Sequence, residues 1–229
     1  MITVICSWDG GDYYHPDYVN KLYRAVKRNL LQPFIFLLYA GDKATSERCR
    51  LIDENIKIIP IGLPWWWSGM MVWHPEPPGV ETERILYLDI DQVIVGSLDE
   101  IVDYPSDHAC MKDYPAEIAP DNNRKDVNVS VTVLKTGARP EVWERYVAAG
   151  SPRWSPFNNP KSDKPLPLGA QTIINHGIEV DLLPEEWCQS YKLHFLRTGA
   201  LAPECKVVCF HGRPKPHEAT QDFIKEHWI

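Results

Sequence analysis

Residues 84–95 read Arg-Ile-Leu-Tyr-Leu-Asp-Ile-Asp-Gln-Val-Ile-Val, an apolar run that breaks at two acids and then resumes. Arg84–Leu88 shows no polar–apolar alternation, the pattern of a strand covered on both faces in the middle of a parallel sheet. It runs straight into Asp89 and Asp91. In extended backbone, residues i and i+2 point to one side. Two carboxylates aimed together repel unless a cation sits between them. Hard divalent ions such as Mn²⁺ or Mg²⁺ take oxygen ligands and keep open positions for phosphate. In open α/β sheets, ligands gather at the carboxyl ends of the strands, where this pair falls. A strand-end aspartate capping a turn is the plainer reading of a bare acid pair.

Outward from that stretch the pattern is α/β. Thr3–Cys6 reads as a buried first strand. Pro16–Leu30 places Tyr18, Leu22, Val26 and Leu30 on one face between basic residues, an amphipathic helix with Pro16 near its first turn. Pro33–Tyr39, Ser46–Glu54 and Ile56–Pro60 continue as strand, helix and strand, the opening half of a nucleotide-binding sheet. Further on, strands are expected at Val127–Leu134, Ile178–Leu183 and Lys206–Phe210. Helices are expected at Pro140–Ala149 and Leu168–Asn175, with a short terminal one within Glu218–Trp228. Ser151–Pro167 carries five prolines in seventeen residues. It can be neither helix nor inner strand and reads as a long surface loop, placed like a lid.

Composition bounds the function. The chain has 229 residues and a formal charge of −7. That balance argues against a general nucleic-acid coat or a binder of anionic membranes, though not against a local basic groove. No apolar run reaches the ~18 residues of a membrane span, and the N-terminus lacks the basic start of a signal peptide. The six cysteines form no C-x-x-C pair and read as reduced thiols, so a cytoplasmic location is expected. Nine tryptophans are many for this length. They fill cores, and some can serve as stacking platforms for sugars or bases.

His211 marks a second feature, because it too ends an apolar strand. An imidazole can complete a Mn²⁺ shell, and Gly212 permits close approach of a diphosphate. Lys215 and Arg213 can neutralise phosphate charge. A zinc site on Cys205, Cys209 and His211 lacks a fourth ligand at a recognisable spacing.

These residues resemble a known family. ILYLDIDQVIVGSLDEI is similar to the metal-binding segment of GT-A glycosyltransferases, above all the family 8 group that includes glycogenin-like and lipopolysaccharide galactosyltransferase-like enzymes. VVCFHGRPKP resembles that group's H-x-G-x-x-K-P signature. The opening TVICSWDGGDYYHPDYVNKLYRAVKRN, NVSVTVL and AQTIIN resemble its first nucleotide-binding unit, its sugar-facing strand and its glutamine helix, in family order from about residue 2 to 216. The chain is most like small bacterial and phage-type members carrying a WW-S segment and an SYK…FHG-x-PKP ending.

The resemblance implies an α/β GT-A fold, a mixed central sheet flanked by helices in one domain over 1–229. Residues 1–95 would be the nucleotide-binding half and 96–229 the sugar and acceptor half. It implies a retaining transferase that moves a hexose or pentose from a UDP-sugar. Asp89, Asp91 and His211 would hold Mn²⁺ or Mg²⁺. Ser7, Trp8, Asp9 and Tyr14 would form the nucleotide pocket, with Trp8 or Tyr14 stacking on the base, and Ile90 would line it. Gly212 and Lys215 would contact the diphosphate, Asn128 and Ser130 the sugar. Gln171 would lie beside the anomeric carbon; Gln171, Asp91 and Lys215 would carry the chemistry. Two departures stand out. Gly69 and Met70 stand where the family commonly carries a basic residue, so the expectation is either that one phosphate or sugar contact is lost or that Arg84 replaces it. Ala170 and Thr172 replace the carboxylates flanking the glutamine, which removes the obvious covalent nucleophile and points to front-face attack.

The acceptor is open: a modified DNA base, a glycan or a small molecule. Trp65–Trp67, Trp73, Trp154 and Trp187 are candidate stacking residues. Arg124, Lys125, Arg153, Lys161, Lys164, Lys192 and Arg197 are candidate phosphate contacts or ordinary solvated charge. A nucleotide-sugar-binding protein without transfer activity, or a metal-dependent nucleotidyltransferase, are the competing readings.

Overall fold

The computed structural model describes residues 1–114, 127–151 and 169–229. Its large sheet contains β1 (Ile2–Trp8) as an inner strand, all seven residues of which are buried. β1 pairs in parallel with β2 (Phe34–Ala40) on one side and with β4 (Arg84–Leu88) on the other. β3 (Lys57–Pro60) adds in parallel to β2. Beyond β4 the sheet becomes mixed. β7 (Val127–Lys135) runs antiparallel to β4, β6 (His108–Lys112) antiparallel to β7, and β8 (Asp181–Leu182) parallel to β6. The order is β3-β2-β1-β4-β7-β6-β8. A second small sheet has the order β5-β10-β9, from Val93–Ile94, Val207–Cys209 and Cys188–Ser190.

Both faces of the large sheet are covered, so β1, β2 and β4 are predominantly apolar rather than alternating. One face carries Val4, Cys6, Leu86 and Leu88 against α1 (Asp17–Asn29), which buries Val19, Leu22 and Val26. Two single-turn helices, α2 (Ser46–Cys49) and α3 (Asp99–Val102), lie in the connections. The other face carries Ile5, Ile85 and Tyr87 against α4 (Pro140–Ala148), α5 (Ala170–Asn175) and the segment Trp65–Trp73.

The sequence reading missed that last segment. It is a 3₁₀ helix in which Trp67, Met70 and Trp73 are buried. Their spacing of three matches three residues per turn, so no α-helical or strand period is present to detect. It also missed β6, a five-residue strand whose four apolar-side positions are buried without polar alternation. The helix expected over Ser46–Glu54 ends at Cys49. The strand expected over Ile178–Leu183 pairs only at Asp181–Leu182, where β6 offers Ala109 and Cys110. Apart from Ser151, the proline-rich segment lies outside the described residues, with Arg124, Lys125, Arg153, Trp154, Lys161 and Lys164. No helix among the described residues is long and apolar enough to cross a membrane.

His108, at the start of β6, is a buried group away from the carboxylate pair. Trp73 Nε1 donates to its Nε2 at 3.3 Å. The ring proton then sits on Nδ1, which is buried without a partner among the described residues. Burial, then Arg139, push the imidazole down from 6.5 to about 4. The folded state keeps this ring neutral, so its contribution is present above pH 6.5 and is lost as pH falls toward 4. Chemical denaturation of the wild type should show a stability decrease of about 3 kcal/mol across that window from this residue. His108→Gln keeps an acceptor for Trp73 and should flatten that part of the profile; an unchanged profile would refute the assignment.

Candidate functional site

A cavity of about 790 Å³ opens at the carboxyl ends of β1, β4 and β10. The topology explains its contents. β1 ends at Ser7 and Trp8, β4 delivers Asp89 and Asp91, and β10 delivers Phe210 and His211. These residues line the cavity together with Asp9, Tyr14, Ile90, Ser130 and Lys215. The two acids and the distant imidazole therefore share one hollow.

Asp89 is held from two sides. Tyr87 donates its hydroxyl to Oδ1 at 3.0 Å and Ser130 donates to Oδ2 at 2.6 Å. Ser7 Oγ bonds the Tyr87 hydroxyl at 2.9 Å, so Ser7 steadies the acid through Tyr87. Burial, then the neighbouring Asp91 charge, raise the Asp89 carboxyl above its ordinary value; the hydrogen bonds and Lys215 only oppose this. Asp91 is buried. Its Oδ2 accepts from Lys215 Nζ at 2.5 Å and from Tyr14 at 2.7 Å. The Lys215 ammonium also stands 5.1 Å from the Tyr14 ring centroid and 5.5 Å from that of Tyr13. His211 stacks on Tyr114 at 5.5 Å, and its Nε2 shares a 2.7 Å hydrogen bond with Ser190 Oγ. Burial, then Lys192 and Lys215, push its imidazole below the usual value, against the pull of Asp91.

Asp89, Asp91 and His211 thus share a cavity without forming a ready-made ligand set. Among the described residues, no group of three or more His, Cys, Asp and Glu is arranged to hold a metal ion. The cause is local: Lys215 lies on Asp91, and His211 is turned to Ser190. The donor chemistry still fits a hard divalent cation. Two carboxylates face one ammonium in an enclosed place, which leaves one negative charge uncompensated and Asp89 shifted upward.

A further carboxylate, not singled out in the sequence, joins the site. Asp113, just after β6, accepts from Asn128 Nδ2 on Oδ1 and from Gln171 Nε2 on Oδ2, each at 3.3 Å. Asn128 Oδ1 accepts from Ser130 N at 2.9 Å. A polar chain therefore runs Gln171–Asp113–Asn128–Ser130–Asp89. The expectation that substitution at Ala170 and Thr172 clears carboxylates from beside the glutamine is corrected: the neighbour arrives from another strand. No local motif flags Asp113, because β6 itself has no periodic signature.

Three other expectations change. Trp8 is only 2% exposed, and its Nε1 donates to the Tyr14 carbonyl at 2.9 Å. It pins the loop after β1 and has no face free for a base. Tyr13, 60% exposed on the cavity wall, has one. Asp9 accepts from Gly11 N at 2.9 Å and shapes the same loop. Arg84 lies at the opposite end of β4. Its guanidinium donates to the Ser106 and Tyr104 carbonyls, and it lines a different pocket with His108 and Arg139. A residue that begins a strand cannot reach ligands at its carboxyl end. Arg213 is exposed and pairs with Glu218. Gly69 is closed to any side chain: a Cβ there would meet the Tyr87 hydroxyl at 2.8 Å and Ser7 Oγ at 3.2 Å.

A mixed seven-stranded sheet flanked by helices, in one domain, is the fold of GT-A glycosyltransferases. Among solved structures, the chain is similar to an active-site mutant of LgtC, with a TM-score of 0.69 and 12% identity over 98% of this chain and 93% of that one. It is similar to the galactosyltransferase LgtC in complex with donor and acceptor sugar analogs, with a TM-score of 0.66 and 14% identity over 93% and 88%. It is also similar to the glycosyltransferase GlyE of Streptococcus pneumoniae TIGR4, with a TM-score of 0.65 and 14% identity over 100% of this chain and 60% of that one. At these identities the likeness is one of fold. No protein-family model matches the chain, and no curated protein matches it in sequence.

Proposed function

We propose that this protein is a metal-assisted, retaining glycosyltransferase of the family 8 kind that moves a sugar from a UDP-sugar to an acceptor. The observation that carries the reading is the convergence of Asp89, Asp91, His211 and Lys215 on one cavity at the carboxyl ends of the strands. Asp89, Asp91 and His211 would hold Mn²⁺ or Mg²⁺. Such an ion, when bound, supplies electrostatic stabilisation of the departing diphosphate.

The chain's own residues do the rest. Tyr13 and the loop after β1 receive the base. Ser130, Asn128 and Asp113 offer hydrogen-bond partners to sugar hydroxyls. Gln171 is oriented by Asp113 so that its side-chain oxygen is left for the anomeric region. We infer front-face attack, in which the acceptor hydroxyl approaches on the leaving-group side, because both Asp113 oxygens are already engaged by Asn128 and Gln171. Mass-spectrometric trapping of a glycosyl ester on Asp113 would replace it with double displacement. Trp66, 53% exposed on the cavity wall and stacked on Trp67, is the aromatic side chain placed to border a ring of the acceptor, whether glycan, modified DNA base or small molecule.

A thermal-shift series with UDP-glucose, UDP-galactose and UDP-pentoses, with and without Mn²⁺, tests the reading. A ligand that binds only the folded state raises the melting temperature. One UDP-sugar should stand out, more strongly with Mn²⁺, and should release free UDP in a reaction stopped by EDTA. Binding without UDP release would make the protein a nucleotide-sugar binder. Unchanged release in EDTA would remove the metal from the account.

A further inference from the structure

Two lysines reach the His211–Gly212 turn, and they are committed differently. Lys215 is spent on Asp91, at 2.5 Å with both side chains under a tenth exposed. Lys192 comes from the other side, on the one-turn π-helix Tyr191–Phe195 that follows β9. β9 and β10 are parallel neighbours with Ser190 opposite Cys209, so they deliver Lys192 and Gly212 to the same end. The Ser190–His211 hydrogen bond ties those ends together, and Leu193 N donates to the same Ser190 oxygen at 3.1 Å. Gly212 has φ +63°, and a Cβ there would stand 3.2 Å from Lys192 Nζ. Among the described residues, no carboxylate pairs with Lys192. The result is a half-buried ammonium, without a carboxylate partner among the described residues, over a bare glycine turn that directly follows His211 of the cavity wall.

A diphosphate ester brings at least two negative charges into the site. Until a divalent cation binds Asp91, Lys215 cannot leave it without stranding a buried carboxylate. We propose that Lys192 is the cation that first receives the donor's diphosphate, with Lys215 serving Asp91. This assignment rests on the reading of the cavity as a nucleotide-sugar site.

The test is calorimetric titration with UDP and with uridine, in EDTA, so that neither metal nor turnover enters the readout. Lys192→Met should weaken UDP binding about tenfold, the scale of one charge-assisted contact. Lys192→Arg should recover most of it, and uridine affinity should be equal in all three proteins. UDP affinity should also fall with added salt in the wild type and fall less in Lys192→Met. UDP binding that ignores Lys192, or a loss shared equally by uridine, would overturn the assignment alone. Failure of the unaltered protein to bind UDP both in EDTA and with saturating Mn²⁺ would remove the parent reading and this one with it.

Discussion

Asp89→Asn is expected to abolish sugar transfer while leaving the melting temperature unchanged or higher. Asn has the same shape, and its side-chain oxygen can still accept from Tyr87 or Ser130, whose hydroxyls rotate to suit. What disappears is a charge that the fold holds at a cost. Burial and Asp91 raise this carboxyl, so the folded state binds its proton more tightly than the unfolded chain does. Its favourable contribution is complete below the ordinary carboxylate value of 3.8 and is lost as pH rises through the raised one. The variant should therefore equal or exceed the wild type in stability at neutral pH and lose that margin in acid. Under the proposed function, removing one of two charges that would hold the cation costs transfer about 10²–10³-fold or more. Calorimetry without metal, paired with UDP-release assays, decides it. Activity within tenfold of wild type, or a melting temperature lower by many degrees, would contradict it.

Lys215→Met should be the most damaging single substitution for stability at this site. It strands Asp91, whose side chain is 7% exposed, with only the Tyr14 hydroxyl left as a hydrogen-bond donor among the described residues. Breaking one partner of a buried ion pair costs about 3–5 kcal/mol, on the order of 10 °C for a chain of this size. The pair itself contributes less than that figure, because desolvation of both charges offsets much of their attraction. The double variant Asp91→Asn/Lys215→Met should thus melt well above Lys215→Met alone, yet remain inactive. Saturating Mn²⁺ should restore part of the loss in Lys215→Met by supplying the missing positive charge, and none in the double variant. If Lys215→Met melts like the wild type, the ammonium is not the counter-ion of Asp91.

Much of the fold was legible because its inner strands carry a local signal. Ile2–Trp8, Phe34–Ala40 and Arg84–Leu88 are continuous apolar runs, and Asp17–Asn29 has a clean helical period. What remained hidden was structure without a period: the 3₁₀ turn of Trp65–Trp73 and the short strand His108–Lys112. Two of the misplaced site residues failed for a related reason. Arg84 is near Asp89 in sequence but at the far end of its strand, and Trp8 looks like a platform until its indole is found holding the Tyr14 carbonyl.

Residue period and apolar runs are properties of neighbours along the chain, so the α/β pattern and the strand ends at which Asp89, Asp91 and His211 stand were readable from residue order alone. How charge is shared among them emerges only in the folded molecule. Lys215 on Asp91, Asp113 beside Gln171, and Lys192 over Gly212 are contacts between strands and loops far apart in sequence. Their energies depend on burial and on distances of a few ångströms, which no local pattern encodes.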